Sequence, residues 1–485
     1  MTVRLTLHPL AKTIEVERGA PLRDLLFQYG VEFPCGGKGR CRGCRVRVLE
    51  NALPAQPEEL DILSADEIAD GWRLACRAAA DRDCTLEIAQ WESAILADQT
   101  EFRFRPREGQ GIAVDVGTTT LVAQLLDLGT AHVLAVRTAL NPQAARGADI
   151  MSRVQFALHS RELTSLIRKR VGGLIGELGG TDVRDITVAG NTVMHHLFCG
   201  LDVEPLSHFP FETPHAGPDA VDLAGGRRVT FLPNLGSFVG SDILAGILAT
   251  GIHHAGEPAV LIDLGTNGEI VIGNRDRMLC ASTAAGPAFE GGRIGMGMRA
   301  ATGAISEVSR ENGRFRCGVI GGGAPRGICG SGLVDAVAVA LDLGLIRAGG
   351  RLGSGPIEIM GPVSISQSDV RELQLAKGAI AAGIEILARR WGVRVEEIPR
   401  VYLAGAFGNY INRASARRIG LLPFPEEKVR PAGNTALLGA KLALFEDDKR
   451  FESLRAVVEH VPLGSDPEFQ DRFVSAMAFP GANGL

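Results

Sequence analysis

One short pattern occurs twice in this chain. Ile112-Ala113-Val114-Asp115-Val116-Gly117-Thr118-Thr119-Thr120 is an apolar strand running into a turn, and Val260-Leu261-Ile262-Asp263-Leu264-Gly265-Thr266-Asn267-Gly268-Glu269 repeats it. In such a turn the aspartate can hold a hydrated magnesium ion, while glycine lets backbone amides and threonine hydroxyls approach phosphate oxygens. A single copy carries little weight, because glycines commonly follow strands. A second echo adds to it: Ile186-Thr187-Val188-Ala189-Gly190-Asn191 returns as Val401-Tyr402-Leu403-Ala404-Gly405-Ala406. Each half therefore has an aspartate-glycine-threonine turn followed later by a strand ending in Ala-Gly, which predicts a duplicated α/β unit. The second echo continues as Phe407-Gly408-Asn409, where Gly405 and Gly408 at a helix start let the chain approach a nucleotide.

A different chemistry precedes the repeat. Cys35, Cys41 and Cys44 are spaced C-x5-C-x2-C in a loop rich in glycine, and Cys76 follows alone. Four thiolates at this spacing suit a 2Fe-2S cluster, with loop amides folding around the sulfides. A structural zinc site is the competing reading, but it usually takes two C-x2-C knuckles, and one is present. Unligated thiols are the third reading. Nine cysteines is an odd count in a chain with no expected secretory signal, which argues against a disulfide framework and for a reducing, cytoplasmic setting.

Around the loop, Val3 to Leu7 and Thr13 to Val16 alternate like a hairpin, and Pro21 to Tyr29 has the apolar spacing of a short helix. Val46 and Val48 continue as a strand, Trp72 to Cys76 brings the fourth thiol back, and Cys84 reads as strand packing. These elements predict an α+β ferredoxin-like (β-grasp) domain over 1–90, a polar linker over 91–110 and the duplicated unit over 111–485, with halves 111–255 and 256–485. With 45% hydrophobic residues, 485 positions hold more than one core. A formal charge of −5 gives no nucleic-acid signature, and the apolar run Ile243 to Ile252 is too short to span a membrane. Lys38, Arg40, Arg42, Arg45 and Arg73, with Arg103, Arg105 and Arg107 of the linker, form either a basic docking surface near the cysteines or a solvated face.

In the long C-terminal part, Asp115 to Thr120 resembles the first phosphate motif of the actin, heat-shock chaperone and sugar kinase superfamily (ASKHA). Asp263 to Glu269 resembles its second, and Leu403 to Asn409 its adenosine motif. Asn191 to Leu197 and Asn434 to Leu444 look like its connecting hinge helices. The resemblance implies ATP and Mg2+ as ligands, Asp115, Asp263 and Glu269 as catalytic residues, and Gly117, Thr118, Thr119, Gly265, Thr266, Asn267, Gly405 and Gly408 around the nucleotide. Glu269 and Glu290 orient water or magnesium, or are structural. His195 and His196 are expected to pack at the hinge, and Cys199, Cys280, Cys317 and Cys329 to be structural.

The fusion of the two parts resembles the reductive activators of corrinoid enzymes (RACE proteins). Its most specific stretches are Trp72 to Cys76, Ala189 to Thr192, Asp263 to Glu269, Ala285 to Gly291 and Cys329 to Asp335. That resemblance implies one-electron, ATP-dependent return of an inactive Co(II) corrinoid to Co(I). The partner is a corrinoid protein or methyltransferase, and a ferredoxin, flavodoxin or reductase supplies the electron; a homodimer is also allowed. The short linker suggests that the additional middle domain of some activators is absent. The alternatives are ATP-dependent electron donation to another low-potential enzyme and a cluster-regulated small-molecule kinase.

Overall fold

In the computed structural model, the described residues are 1–8, 12–26, 29, 31, 39, 44–88, 104–147 and 149–481. The N-terminal sheet orders its strands Lys12–Glu17, Thr2–His8, Cys84–Glu87, Arg45–Glu50 and Trp72–Leu74. Period-two alternation builds it: Val3, Leu5 and Leu7 are buried while Thr2, Arg4 and His8 face solvent. The expected hairpin pairs Val3 with Val16 and Leu5 with Ile14, and the first strand then pairs in parallel with Cys84–Glu87. Helix Leu22–Leu26 covers the apolar face through its two terminal leucines. This is the β-grasp arrangement. Cys84 is buried in its core, and burial pushes its thiol up to about 11.

The duplication is visible strand by strand. In the first half, Arg227–Phe231, Val183–Gly190, Gln110–Val116, Thr120–Asp127 and Val133–Leu140 lie side by side, paired parallel, parallel, antiparallel and antiparallel. Val429–Gly433, Arg400–Ala404, Ala259–Leu264, Gly268–Gly273 and Met278–Thr283 repeat that order and those senses. The sixth strands differ. Asp219–Leu223 extends one end of the first sheet, and Val458–His460 extends the opposite end of the second. Helix Glu162–Leu178 covers the first sheet; the 25-residue helix Gln367–Trp391, started by a Ser366–Asp369 capping box, runs along the second.

A separate apolar core lies between the halves, where Ala113 and Ala189 of one meet Leu261 and Ala404 of the other. Helices Ser241–Thr250 and Thr435–Ala443 cross within it. They approach closely: a Cβ on Gly439 would stand 2.2 Å from the Ala245 carbonyl oxygen. The apolar run that begins at Ile243 is thus a buried crossing helix. Asn191 to Leu197, expected at the hinge, instead forms helix Thr192–Cys199 inside the first-half core. Its Met194, His195, His196 and Phe198 are too bulky for such a crossing, which Ala245 and Gly246 permit. Among the described residues no helix is long and apolar enough to cross a membrane.

The cluster domain touches the second half through Arg326, just before strand Gly327–Ile328. The Arg326 guanidinium pairs with Glu87, and Arg45 Nη2 donates to the Arg326 carbonyl at 3.0 Å. These contacts correct the basic-surface reading for two of its members. Arg73 is buried, donating to the carbonyls of Leu53 at 2.8 Å and Ile68 at 3.0 Å, and Arg45 pairs with Glu67 at 3.1 Å. Arg107 pairs with Asp185 at 2.6 Å, so its charge is also engaged. Lys38, Arg40, Arg42 and Arg103 lie outside the described residues.

Candidate functional site

Both signature aspartates stand at the ends of central strands, next to the Ala-Gly ends that echo one another. Asp115 is level with Ala189 and Asp263 with Ala404 in the parallel ladders. The following turns also match: Gly117 donates its amide to the Thr120 carbonyl at 3.1 Å, and Gly265 to that of Asn267 at 3.0 Å. Gly405 joins the second turn to the adenosine-like motif. Its φ is +83°, and a Cβ there would lie 2.6 Å from Asp263 Oδ1, so glycine is required on both conformational and steric grounds. Gly408 is buried one turn on, in helix Gly405–Tyr410.

The two halves meet chemically here. Asn434, capping helix Thr435–Ala443 through Leu437, donates Nδ2 to Asp115 Oδ2 at 2.9 Å. Asn191 caps Thr192–Cys199 in the same way and donates to Thr118 Oγ1 at 2.9 Å. Asn141 holds the back of the first turn, donating Nδ2 to the Gly117 carbonyl at 2.9 Å and its amide to that of Thr119 at 2.8 Å. Thr266 donates to Glu290 Oε1 at 2.9 Å, and Arg299 approaches that carboxylate at 3.8 Å. Glu290 therefore anchors the second turn.

Four carboxylates gather between these turns. Burial pushes Asp115 up to about 6, against the Asn434 hydrogen bond, and pushes Asp263 up to about 7 with help from the Asp115 charge. Asp242, in the first turn of Ser241–Thr250, is raised by burial and by repulsion from Asp263 and Asp115. Glu269 is raised well above the usual carboxylate range by burial and then by Asp242 and Asp263, although Ser282 donates to it at 3.2 Å. Such a group of oxygens is costly to ionise together without a cation, and it is the donor chemistry of a hard divalent ion. Asp242 escaped sequence reading because it opens a helix and carries no turn motif.

At the cysteine site, strand pairing of Arg45 with Leu74 brings two ligand segments together, and the Ala75 amide donates to the Cys44 carbonyl at 3.0 Å. Cys44 is buried and Cys76 half-buried. Buried Glu59 braces the returning segment, accepting from the amides of Leu74 and Gln56. Cys35 and Cys41 lie outside the described residues.

Comparison with known proteins agrees with this division. Residues 5–81 match a family model described as a 2Fe-2S iron-sulfur cluster binding domain. Residues 110–255 match the RACo middle region, and 257–484 the C-terminal domain of RACo, the ASKHA domain. Over 98% of its length the chain is 36% identical to a Eubacterium limosum protein named corrinoid activation enzyme RamQ, covering 99% of it. The chain belongs to the reductive activators of corrinoid enzymes. A second activator-like relative, the [Co(II) methylated amine-specific corrinoid protein] reductase of Methanosarcina barkeri, is 29% identical, with 76% of this chain and 77% of that one covered. A solved structure titled reductive activator for corrinoid, iron-sulfur protein superposes with a TM-score of 0.69 at 27% identity, covering 99% of each chain. The residues that match the RACo middle region, 110–255, form the first α/β half of the duplicated unit.

Proposed function

We propose that this chain uses ATP to return one electron from an N-terminal 2Fe-2S cluster to the Co(II) corrinoid of a partner protein, restoring Co(I). The observation that carries the reading is the fusion itself: a β-grasp domain bearing the cysteine segments is packed onto a duplicated ATPase fold, and activators of corrinoid proteins match the chain end to end. In this reading Cys35, Cys41, Cys44 and Cys76 hold the cluster, within a domain spanning 1–90. When bound, it supplies a one-electron store near roughly −400 mV, the range of plant-type centres. A low-potential ferredoxin, flavodoxin or reductase must refill it.

ATP sits between the halves, over 111–485. Thr118 and Thr119 of the first turn and Thr266 and Asn267 of the second line its phosphates, and Gly117 and Gly265 close the two turns around them. Gly405 and Gly408 make room for the adenosine. The four raised carboxylates fit Mg2+: Asp115 and Asp263 would hold the hydrated ion, which would neutralise phosphate charge, and Glu269 and Asp242 would serve as proton acceptors or orient the attacking water. Nucleotide drawing the halves together over the Gly439–Ala245 crossing would change the affinity for the Co(II) partner, since only differential binding shifts such an equilibrium.

An anaerobic assay following the Co(I) absorbance, with a corrinoid protein, ATP and a chemical reductant, tests the reading. Asp115→Ala and Asp263→Ala are expected to lower ATP-dependent Co(I) formation by about a hundredfold while leaving the cluster EPR signal intact. Rates equal to the parent's would sink the assignment of the ATP site.

A further inference from the structure

Besides the carboxylate group, the first half holds another cluster of ligating side chains. His195 and Cys199 lie one turn apart on the same face of helix Thr192–Cys199. Asp219, the first residue of strand Asp219–Leu223, comes across to meet them. One imidazole nitrogen, the sulfur and a carboxylate oxygen all lie within 4.8 Å of one another. His215 Nε2 reaches the same carboxylate at 2.8 Å. Two intervals of four residues, His195 to Cys199 and His215 to Asp219, thus converge through folding; their spacing along the chain matches no zinc-knuckle pattern.

His195 is fully buried, and its two nitrogens differ. Nδ1 is 2.7 Å from the Asn234 amide, whereas Nε2 faces the cluster, 2.9 Å from Asp219 Oδ2 but without hydrogen-bond geometry to it or to any other described atom. The Asn234 side-chain oxygen is buried without a partner as well. With the Asn234 amide turned over, its oxygen accepts the Nδ1 proton and the Nε2 lone pair is left for a ligand. This is the outer-shell hydrogen bond that orients metal-bound histidines. Space is kept in front of that nitrogen, because a Cβ on Gly217 would stand 3.1 Å from Nε2 and 3.2 Å from Asp219 Oδ2.

We propose that His195, Cys199 and Asp219 bind a divalent cation of the zinc class, with His215 as the fourth side chain of matching chemistry. Mixed nitrogen, sulfur and oxygen donors select zinc over magnesium or calcium. The ion clamps helix Thr192–Cys199, whose Asn191 cap holds Thr118, to the edge strand Asp219–Leu223. It sets the first phosphate turn's support and stands apart from the iron-sulfur cysteines.

The test uses the full-length, cluster-loaded protein, with zinc chloride added after cluster reconstitution and the excess removed by dialysis. About one zinc per chain is expected to remain, and zinc-edge X-ray absorption is expected to show one sulfur near ~2.3 Å with nitrogen and oxygen near ~2.0 Å. Cys199→Ser and His195→Gln should release the metal, and Asn234→Ala should weaken it by about 10- to 100-fold. The proposal fails if no zinc is retained, if the absorption shows only sulfur, as zinc in the iron-sulfur site would, or if Cys199→Ser holds as much zinc as the parent. The absorption measurement on the parent protein stands even if a variant folds poorly.

Discussion

Asp242 shows how a residue acquires its role from its neighbours. Alone it is an ordinary helix-opening aspartate; beside Asp263, Asp115 and Glu269 it becomes a carboxylate that resists ionisation. Asp242→Asn removes one repelling charge and keeps the oxygen that accepts from the Ile243 amide. It is expected to stabilise the ligand-free protein by about 1 kcal/mol while abolishing the extra thermal shift that Mg2+ adds to ATP, both read from melting curves. Lys377 carries the opposite sign of strain. Burial brings its ammonium down to about 8, with Nζ donating to the Ala478 carbonyl. The unfolded lysine keeps its proton to about 10.4, so between these values the unfolded state binds more protons and stability rises with pH. In denaturant titrations from pH 7.5 to 10, the stability difference between the parent and Lys377→Met should therefore shift in the parent's favour. A constant difference would show that the lysine does not titrate in that window. The aspartates of the two turns were legible in the sequence because strand, aspartate and glycine are contiguous there. Asn141 was not: it reaches the first turn from the end of a different strand, and only the ladder between Thr120–Asp127 and Val133–Leu140 puts it there.

At the scale of elements, the crossing of Ser241–Thr250 and Thr435–Ala443 brings the backbones of the two halves into close contact. Gly439 lies against the backbone of Ala245, where a flexible side chain cannot move aside. Gly439→Val is expected to cost about 1–3 kcal/mol through overpacking and, if the crossing carries closure, to weaken nucleotide binding as well, measurable by calorimetry. Retention of both stability and binding would show that the helices separate freely. Of the two helices that the sequence placed between the halves, Thr435–Ala443 lies there and Thr192–Cys199 does not. Small residues, not proximity to an Ala-Gly strand, decide which helices can cross this closely. The same lesson applies to Ile243 and the apolar residues after it, whose run is buried between two sheets.

Across the whole molecule, the cluster domain and the ATPase are joined by few described contacts, with Arg326 at their centre. The Arg326–Glu87 pair and the Arg45 bond to the Arg326 carbonyl set the cluster domain against a segment that continues through Gly327–Ile328 into helix Gly330–Asp342 of the second half. Arg326→Ala should loosen this contact by about 1 kcal/mol, the scale of a half-exposed ion pair. Faster hydrogen exchange in Arg45–Glu50 and Gly327–Ile328, with unchanged protection in the central strands of both halves, is the expected result. Unchanged exchange in both segments would remove Arg326 as the link.

Sequence alone carried the plan of the molecule: the β-grasp hairpin, the duplicated strands, the two aspartate turns and the cysteine spacing. Each of these is written in local periodicity or in residues close together along the chain, and local chemistry is what a single sequence makes visible. Folding decided which helix crosses Thr435–Ala443, that Arg45 and Arg73 spend their charge internally, and that Asp242 joins the carboxylates. It also drew His195, Cys199 and Asp219 to one point. These depend on contacts between distant segments, where the packing of side chains, unmarked by any short pattern, selects the neighbours.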